Sequence, residues 1–345
     1  MAARLKPLAA QVIVITGATS GVGLTTARLA AARGAKLVLA ARNGAALDRL
    51  VAEIKAAGGE ALAFPVDVGV QAEMAALGRA AMQRFGRIDT WINNAGISIY
   101  GRYDQVPLAD QTRLFQTNFW GVVHGAMTAL SLMKTSGGAI INMGSMLSDR
   151  AAPVQGMYSA SKHAVKGFTD SLRMEIEKEN VPISMTLVYP AAVDTMLTNH
   201  ARNYMRHETE LPPPLFAPEV VAEAILHAAQ HPQRDIYIGA AARLAALGAN
   251  VVPGLLDKVI NLTLFRLQRK SVRLTAPGRE DSLYASNGRE LQQRLGGHEF
   301  PVSESSAYTY LTTRGKPLAV SVVVGAALLG VWAWQKKPAA AWRRS

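Results

Sequence analysis

The sequence predicts a doubly wound α/β fold, a parallel sheet of seven strands with helices on both faces. Three observations predict it. Residues 11–240 alternate short β-rich runs with longer helical patterns. A glycine-rich turn sits between the first strand and the first helix. The chain has 345 residues and 49% apolar composition, enough for one large core plus an appendage.

The predicted strands are Val12–Thr16, Lys36–Ala41, Ala61–Val66, Ile88–Asn93, Ala139–Met143, Ile183–Val188 and Asp235–Ile238. Each is a short, largely apolar run, as expected of strands buried on both faces. Segments such as Leu24–Arg33 and Ala45–Ala57 carry helical spacing between them. Right-handed crossovers then place helices on both sides of the sheet. The excursion from Ala191 to Pro218 breaks the alternation and contains Pro212-Pro213-Pro214. It reads as a substrate loop or lid, or as a mobile surface loop.

The chain has no cysteine, which excludes disulfides, thiolate metal sites and cysteine nucleophiles. His227 and His231 are four residues apart, but Pro232 and the lack of nearby acids argue against a metal site. The apolar run Val12–Ile15 is too short for a signal peptide and leads straight into Thr16-Gly17.

Charge is unevenly placed. Residues 1–240 hold 22 basic and 19 acidic side chains, and residues 241–345 hold 15 and 6. A basic C-terminal third suits an anionic membrane surface or nucleic acid. Residues 241–274 form a basic amphipathic stretch that either lies in a bilayer interface or packs on the protein's own sheet. Residues 275–315 are polar and glycine- and serine-containing, and read as a linker. Pro317–Trp334 is an uncharged run of 18 residues, flanked by Arg314, Lys316, Lys336 and Lys337, with Trp332 and Trp334 near one end. The expectation is a single-pass anchor over 316–337, followed by a basic tail, 338–345. Stacking aromatics interleaved with the basic residues are missing, so a nucleic-acid role is not expected.

The chemistry-bearing residues lie in 1–240. Thr16-Gly17-Ala18-Thr19-Ser20-Gly21-Val22-Gly23 joins the first strand to the first helix. Such a turn lets backbone approach a pyrophosphate, and the helix N-terminus offers unpaired N–H groups. Tyr158 and Lys162 are four residues apart and share a helix face. An ammonium beside a phenol is expected to lower its pKa from near 10.

The Gly-xxx-Gly-x-Gly spacing, Asn93-Asn94-Ala95-Gly96 after the fourth strand, Asn118, Ser145, and Tyr158-Ser159-Ala160-Ser161-Lys162 together resemble the short-chain dehydrogenase/reductase family over about residues 8–240. That resemblance implies a Rossmann-type domain and a carbonyl–alcohol oxidoreductase. Tyr158 would exchange the proton, Ser145 would orient the carbonyl oxygen, and Lys162 would hold the nicotinamide ribose. Asn118, expected within a long helix, would hold a relay water. Thr16, Gly17, Thr19, Ser20, Gly21, Val22 and Gly23 would cradle the cofactor with Asn94, Ala95 and Gly96. Asp67-Val68 resembles the adenine contact. Tyr189-Pro190-Ala191 departs from the family's common Pro-Gly, whereas Val193 and Thr195 keep their positions.

At the end of the second strand, Ala40-Ala41-Arg42-Asn43 lacks the acid that binds the ribose hydroxyls of NAD. Arg42 can pair with a 2′-phosphate, so NADP(H) is expected over NAD(H). Met146, Leu147, Pro153 and Met157 flank the catalytic residues and predict an apolar pocket wall. A bilayer tether and that wall together suggest an apolar or lipid-like carbonyl or alcohol substrate. The cofactor pool suggests a cytosolic catalytic domain. The resemblance also allows a homodimer or homotetramer. The alternative is a membrane-tethered NADP(H)-binding sensor or scaffold without turnover.

Overall fold

The computed structural model describes residues 4–273, 280–286, 288 and 290–314. Seven strands form one sheet: β1 (Val12–Thr16), β2 (Lys36–Ala41), β3 (Ala61–Pro65), β4 (Thr90–Asn93), β5 (Gly138–Met143), β6 (Ile183–Pro190) and β7 (Asp235–Ile238). Their order is β3-β2-β1-β4-β5-β6-β7, and every neighbouring pair is parallel. The predicted fold is the observed one. The order reverses between β1 and β4, which opens a crevice beyond their carboxyl ends.

Alternation along β1 builds both cores. Ile13 and Ile15 pack toward α1 (Gly21–Ala32), α2 (Gly44–Ala56) and α7 (Pro218–Ala228), meeting Leu24, Leu47, Leu50 and Ile225. Val12 and Val14 point the other way, toward α3 (Gln71–Phe85), α5 (Gly121–Met133) and α6 (Gly156–Lys178), meeting Leu77, Ala126 and Leu172. Strands buried on both faces need apolar side chains at every position, which is why β1 reads as a continuous run.

Between α4 (Leu108–Phe115) and α5 the backbone makes a π-helical turn, Gln116–Trp120. Asn118 sits there, inside the expected long helical run, which continues from Leu108 to Met133 with this π turn as a bulge within it. A residue inserted into the helical ladder shifts the hydrogen-bond register locally, a device found often at functional sites.

The described part of the C-terminal third is more structured than its composition suggests. Residues 241–273 fold as α8 (Ala240–Val251), α9 (Pro253–Leu267) and a strand, Arg269–Arg273, paired antiparallel with His207–Thr209. The described residues of the polar segment expected as a linker carry little regular structure, yet they are tied to the domain along their length. Leu291 N–H donates to the Thr19 carbonyl, and Gly21 N–H donates to the Gln292 carbonyl. Val302–Ser303 pairs with Leu215–Phe216, which pairs in turn with Ala192–Val193. Helix α10 (Ala307–Thr313) follows, with Tyr308 in the core. The expected anchor, 316–337, lies outside the described residues. Among the described residues no helix is long and apolar enough to cross a membrane.

One buried contact locks this segment down. His298 places Nδ1 2.8 Å from Glu210 Oε1 and Nε2 2.8 Å from Asp194 Oδ1. The three side chains are 3%, 1% and 4% exposed. Asp194 also accepts from the Leu295 and Gly296 N–H groups, and Glu210 from the Leu211 and Glu299 N–H groups. Removing the imidazole leaves two buried carboxylates without their shared partner. His298→Ala is expected to cost about 3 kcal/mol of unfolding free energy, read as a lower urea midpoint. An unchanged midpoint would show that 291–314 is not integral to the fold.

Candidate active site

The crevice beyond the strand ends forms a cleft of about 290 Å³. Its floor is the glycine turn. Gly17 adopts φ +66°, and a Cβ there would lie 2.8 Å from the Ala95 Cα. A Cβ on Gly23 would lie 2.1 Å from the Gly17 carbonyl oxygen and 2.5 Å from Asn94 Nδ2. Bare backbone is therefore a requirement at both positions. Asn94 fixes the turn to β4: its Nδ2 donates to the Thr16 and Gly17 carbonyls, while the Asn94 and Ala95 N–H groups donate to Thr16 Oγ1. Ser20 opens α1 without a side-chain capping bond, and the Gly21 N–H is taken by the Gln292 carbonyl.

Ser145, Tyr158 and Lys162 line one wall together. Ser145 follows β5 and caps the short turn Met146–Ser148, accepting from the Leu147 N–H at 3.1 Å. Tyr158 and Lys162 project from α6, and Lys162 Nζ lies 5.7 Å from the Tyr158 ring centroid. Lys162 Nζ donates to the Met143 carbonyl at 2.8 Å. Burial pushes the Lys162 ammonium down to about 8. Burial pushes the Tyr158 phenol up to about 12, opposed by a hydrogen bond from Ser145. The expected lowering of the phenol by Lys162 is thus not the dominant effect; desolvation outweighs it. The Tyr158 phenol therefore stays protonated at neutral pH.

Asn118 is fully buried behind this wall. Its Oδ1 accepts from the Ile97 N–H, and its Nδ2 donates to the Ile97 carbonyl and Ser161 Oγ. The side chain is spent on these bonds, which hold the loop after β4 against α6. Gly96 lies between the two groups: a Cβ there would sit 3.5 Å from Asn118 Oδ1 and 3.9 Å from Lys162 Nζ.

Of the other expected cofactor residues, Gly17, Ser20, Gly21, Val22, Asn94, Ala95, Gly96, Pro190, Val193 and Thr195 line the cleft. Thr16, Thr19 and Gly23 support the turn from behind. Arg42, Asp67 and Val68 cluster at a separate end, outside the cleft lining. Arg113 donates to Asp67 at 2.5 Å, and Asp67 Oδ1 accepts from the Gly69 N–H. Arg42 donates to the Ser282 carbonyl at 2.5 Å and the Leu283 carbonyl at 3.4 Å; Arg113 Nε donates to the same Leu283 carbonyl at 3.1 Å. Burial and the neighbouring Arg113 hold the Arg42 guanidinium below its ordinary pKa.

The apolar wall of the cleft is partly as expected. Met146 and Leu147 line the cleft, but Pro153 and Met157 do not. Met157 packs against a small cluster around Ile97 and Leu114, and the Pro153 carbonyl accepts from Gln268 Nε2. Sequence reasoning missed Tyr100, Gln155, Leu264 and Gln268, which also line the cleft. It also missed the fully buried Leu283. These come from remote segments that carry no motif. The loop after β6 contributes Leu197, His200, Leu211 and Pro212-Pro213-Pro214, so the excursion is a wall of the cleft. A wider open groove between α7 and α10 holds none of these groups.

The short chain dehydrogenase family matches residues 11–205, and the protein belongs to that family. It is 40% identical over 334 residues to the uncharacterized oxidoreductase YxnA of Bacillus subtilis, covering 96% of this chain and 91% of that one. A short chain dehydrogenase/reductase from Burkholderia phymatum in complex with NAD is 26% identical, covers 79% of this chain and all of its own, and has a TM-score of 0.62. A short chain dehydrogenase from Burkholderia cenocepacia in complex with NADP shares the fold, with a TM-score of 0.62 over 74% of this chain and 99% of its own, at 24% identity. The protein is therefore an oxidoreductase of the short-chain dehydrogenase type, whose structural neighbours bind nicotinamide dinucleotides.

Closeness of the turn to Asn94 makes a specific prediction. Gly23→Ala is expected to weaken nicotinamide dinucleotide binding at least about tenfold, roughly 1.4 kcal/mol, in calorimetric titration. Retained affinity would show that the turn does not hold the dinucleotide.

Proposed function

We propose that this protein is an NADP(H)-dependent oxidoreductase that interconverts a carbonyl and an alcohol on an apolar, lipid-like substrate. The observation that carries the reading is the convergence of Ser145, Tyr158 and Lys162 on one wall of a cleft floored by a glycine turn. Bound NADP(H) supplies or accepts the hydride. Tyr158, buried and protonated, donates to the carbonyl oxygen in reduction and takes the proton back in oxidation. Ser145 hydrogen-bonds the same oxygen and orients it. Lys162 in its charged form holds ribose hydroxyls and stabilises negative charge on the phenol oxygen.

Support for NADP(H) comes from the adenosine end. Arg42 follows β2 where an acid would repel a 2′-phosphate, and Arg113 lies close enough to depress it. Two guanidiniums side by side suit a dianionic phosphate. Support for an apolar substrate comes from Met146, Leu147, Leu197, Leu211, Pro212–Pro214 and Leu264 along the cleft. Membrane attachment through the uncharged run Pro317–Trp334, with a cytosolic catalytic domain, is the arrangement the sequence favours. Exposed Trp120 and Met127 on the π turn and α5 suit a homo-oligomeric contact.

The deciding experiment is NADPH and NADH binding to the full-length protein and to Arg42→Asp. Tight NADPH binding that the substitution weakens about tenfold or more, with NADH affected less, supports the assignment. Equal effects on both nucleotides would overturn the NADP(H) preference. Tyr158→Phe is expected to lower kcat for carbonyl reduction by about 10²-fold or more, with nucleotide binding kept. The sign of the pH dependence follows from Lys162. Its charged form persists below about 8, so kcat/KM is expected to decline as pH rises through about 8. A kcat/KM profile flat through that range would show that the Lys162 charge is not required.

A further inference from the structure

Helix α9 leaves a broad apolar face with no covering among the described residues. None of its residues is fully buried. Leu256, Ile260, Leu264 and Leu267 recur at helical spacing and are half-buried toward the domain, and Leu264 lines the cleft. On the other side Leu255 is 63% exposed, Val259 48%, Leu262 77% and Phe265 44%. Val251 and Val252 extend the patch across the turn from α8. A contiguous apolar patch of this kind marks a binding surface.

Charge names the occupant. Lys258, Arg266 and Arg269 are exposed among these apolar residues. The one acid on the helix, Asp257, is ion-paired with Arg150. Long basic side chains can bury their stems and keep the charge at an anionic surface. A second copy of the same face would set these cations against each other. Beyond the described residues, the sequence continues into the uncharged run Pro317–Trp334 between basic flanks.

We infer that α9 docks, apolar face down, on an anionic lipid surface, and that the catalytic cleft opens beside it. Gln268, at the end of the helix, lines the cleft and donates to the Pro153 carbonyl, while its own carbonyl accepts from the Glu210 N–H. Leu264 and Pro212–Pro214 therefore meet the cleft next to the docked face. The substrate that reaches Tyr158 by this route is a carbonyl or alcohol compound partitioned into the bilayer. That last step rests on the proposed oxidoreductase reading; the docking does not.

The absence of cysteine makes the test direct. Leu262→Cys in the full-length protein is labelled with an environment-sensitive fluorophore, and Met174→Cys on α6, 61% exposed, is labelled as the remote control. Both are mixed with vesicles of phosphatidylcholine, with and without phosphatidylglycerol. The docking predicts a blue shift at position 262 and quenching by spin-labelled lipid. Both strengthen with phosphatidylglycerol and weaken with salt, with no change at position 174. A position-262 probe that stays in water on vesicle-bound protein overturns the docking. So does a probe already shielded before vesicles are added, which would place the protein's own apolar run or a second copy on this face. None of these readings uses turnover, so an inactive enzyme that docks would fail the oxidoreductase reading alone.

Discussion

The site depends on the near-contact between the glycine turn and the end of β4. With no side chain at Gly17 and Gly23, the turn lies against Ala95 and Asn94, and four hydrogen bonds join Asn94 and Ala95 to Thr16 and Gly17. That contact spans the reversal in strand order between β1 and β4. It sets how far α1 stands from the loop after β4, and so the width of the crevice. Asn118 then fixes the far side of that loop through Ile97 and holds it to α6 through Ser161. Position is thus passed from the turn to the loop and from the loop to the helix that bears Tyr158 and Lys162.

Burial sets the chemistry of that helix. Both Tyr158 and Lys162 are driven toward their neutral forms, the phenol to about 12 and the ammonium to about 8. The two shifts act in opposite senses on stability. Between about 8 and 10.5 the unfolded state binds the lysine proton and the native state does not, so stability rises with pH. Between about 10 and 12 the native state keeps the phenol proton and the unfolded state does not, so stability falls. At neutral pH the phenol is neutral and only the buried Lys162 ammonium carries a charge at a cost in solvation. A ligand that offers Lys162 an acceptor or a negative charge recovers part of that cost on binding.

The sheet and the convergence of Ser145, Tyr158 and Lys162 on one wall were legible in the sequence because both rest on local patterns. Strands such as Val12–Thr16 are buried on both faces, so their apolar runs stand out, and the Tyr158–Lys162 spacing is fixed by one helix. What was not legible depends on long-range partners. Asn118 reads as a helix residue because nothing local announces a π-helical turn. The direction of the Tyr158 shift depends on burial by segments far away in sequence. The 280–314 segment reads as a linker because its polar residues look solvated. Instead they spend their hydrogen bonds on the domain: Ser282 and Leu283 on Arg42, Glu290 on Asn43, and His298 on Asp194 and Glu210. Composition reports polarity but not whether water or protein satisfies it.

Those C-terminal contacts make the two ends of the site unlike. At one end, Arg42 and Arg113 bond carbonyls of Ser282 and Leu283 in the 280–314 segment, the strap; these are weaker acceptors than a phosphate and are placed where an anion would compete for the same donors. At the other end, Leu264 and Gln268 bring the amphipathic helix to the cleft wall. His298 ties the strap to Asp194 and Glu210, which lie in the loop that supplies Leu211 and Pro212 to the same cleft. The Arg42 end and the apolar end are therefore mechanically joined through one segment. Any movement that frees Arg42 from the strap pulls on a segment anchored, through His298, to the loop that walls the apolar end.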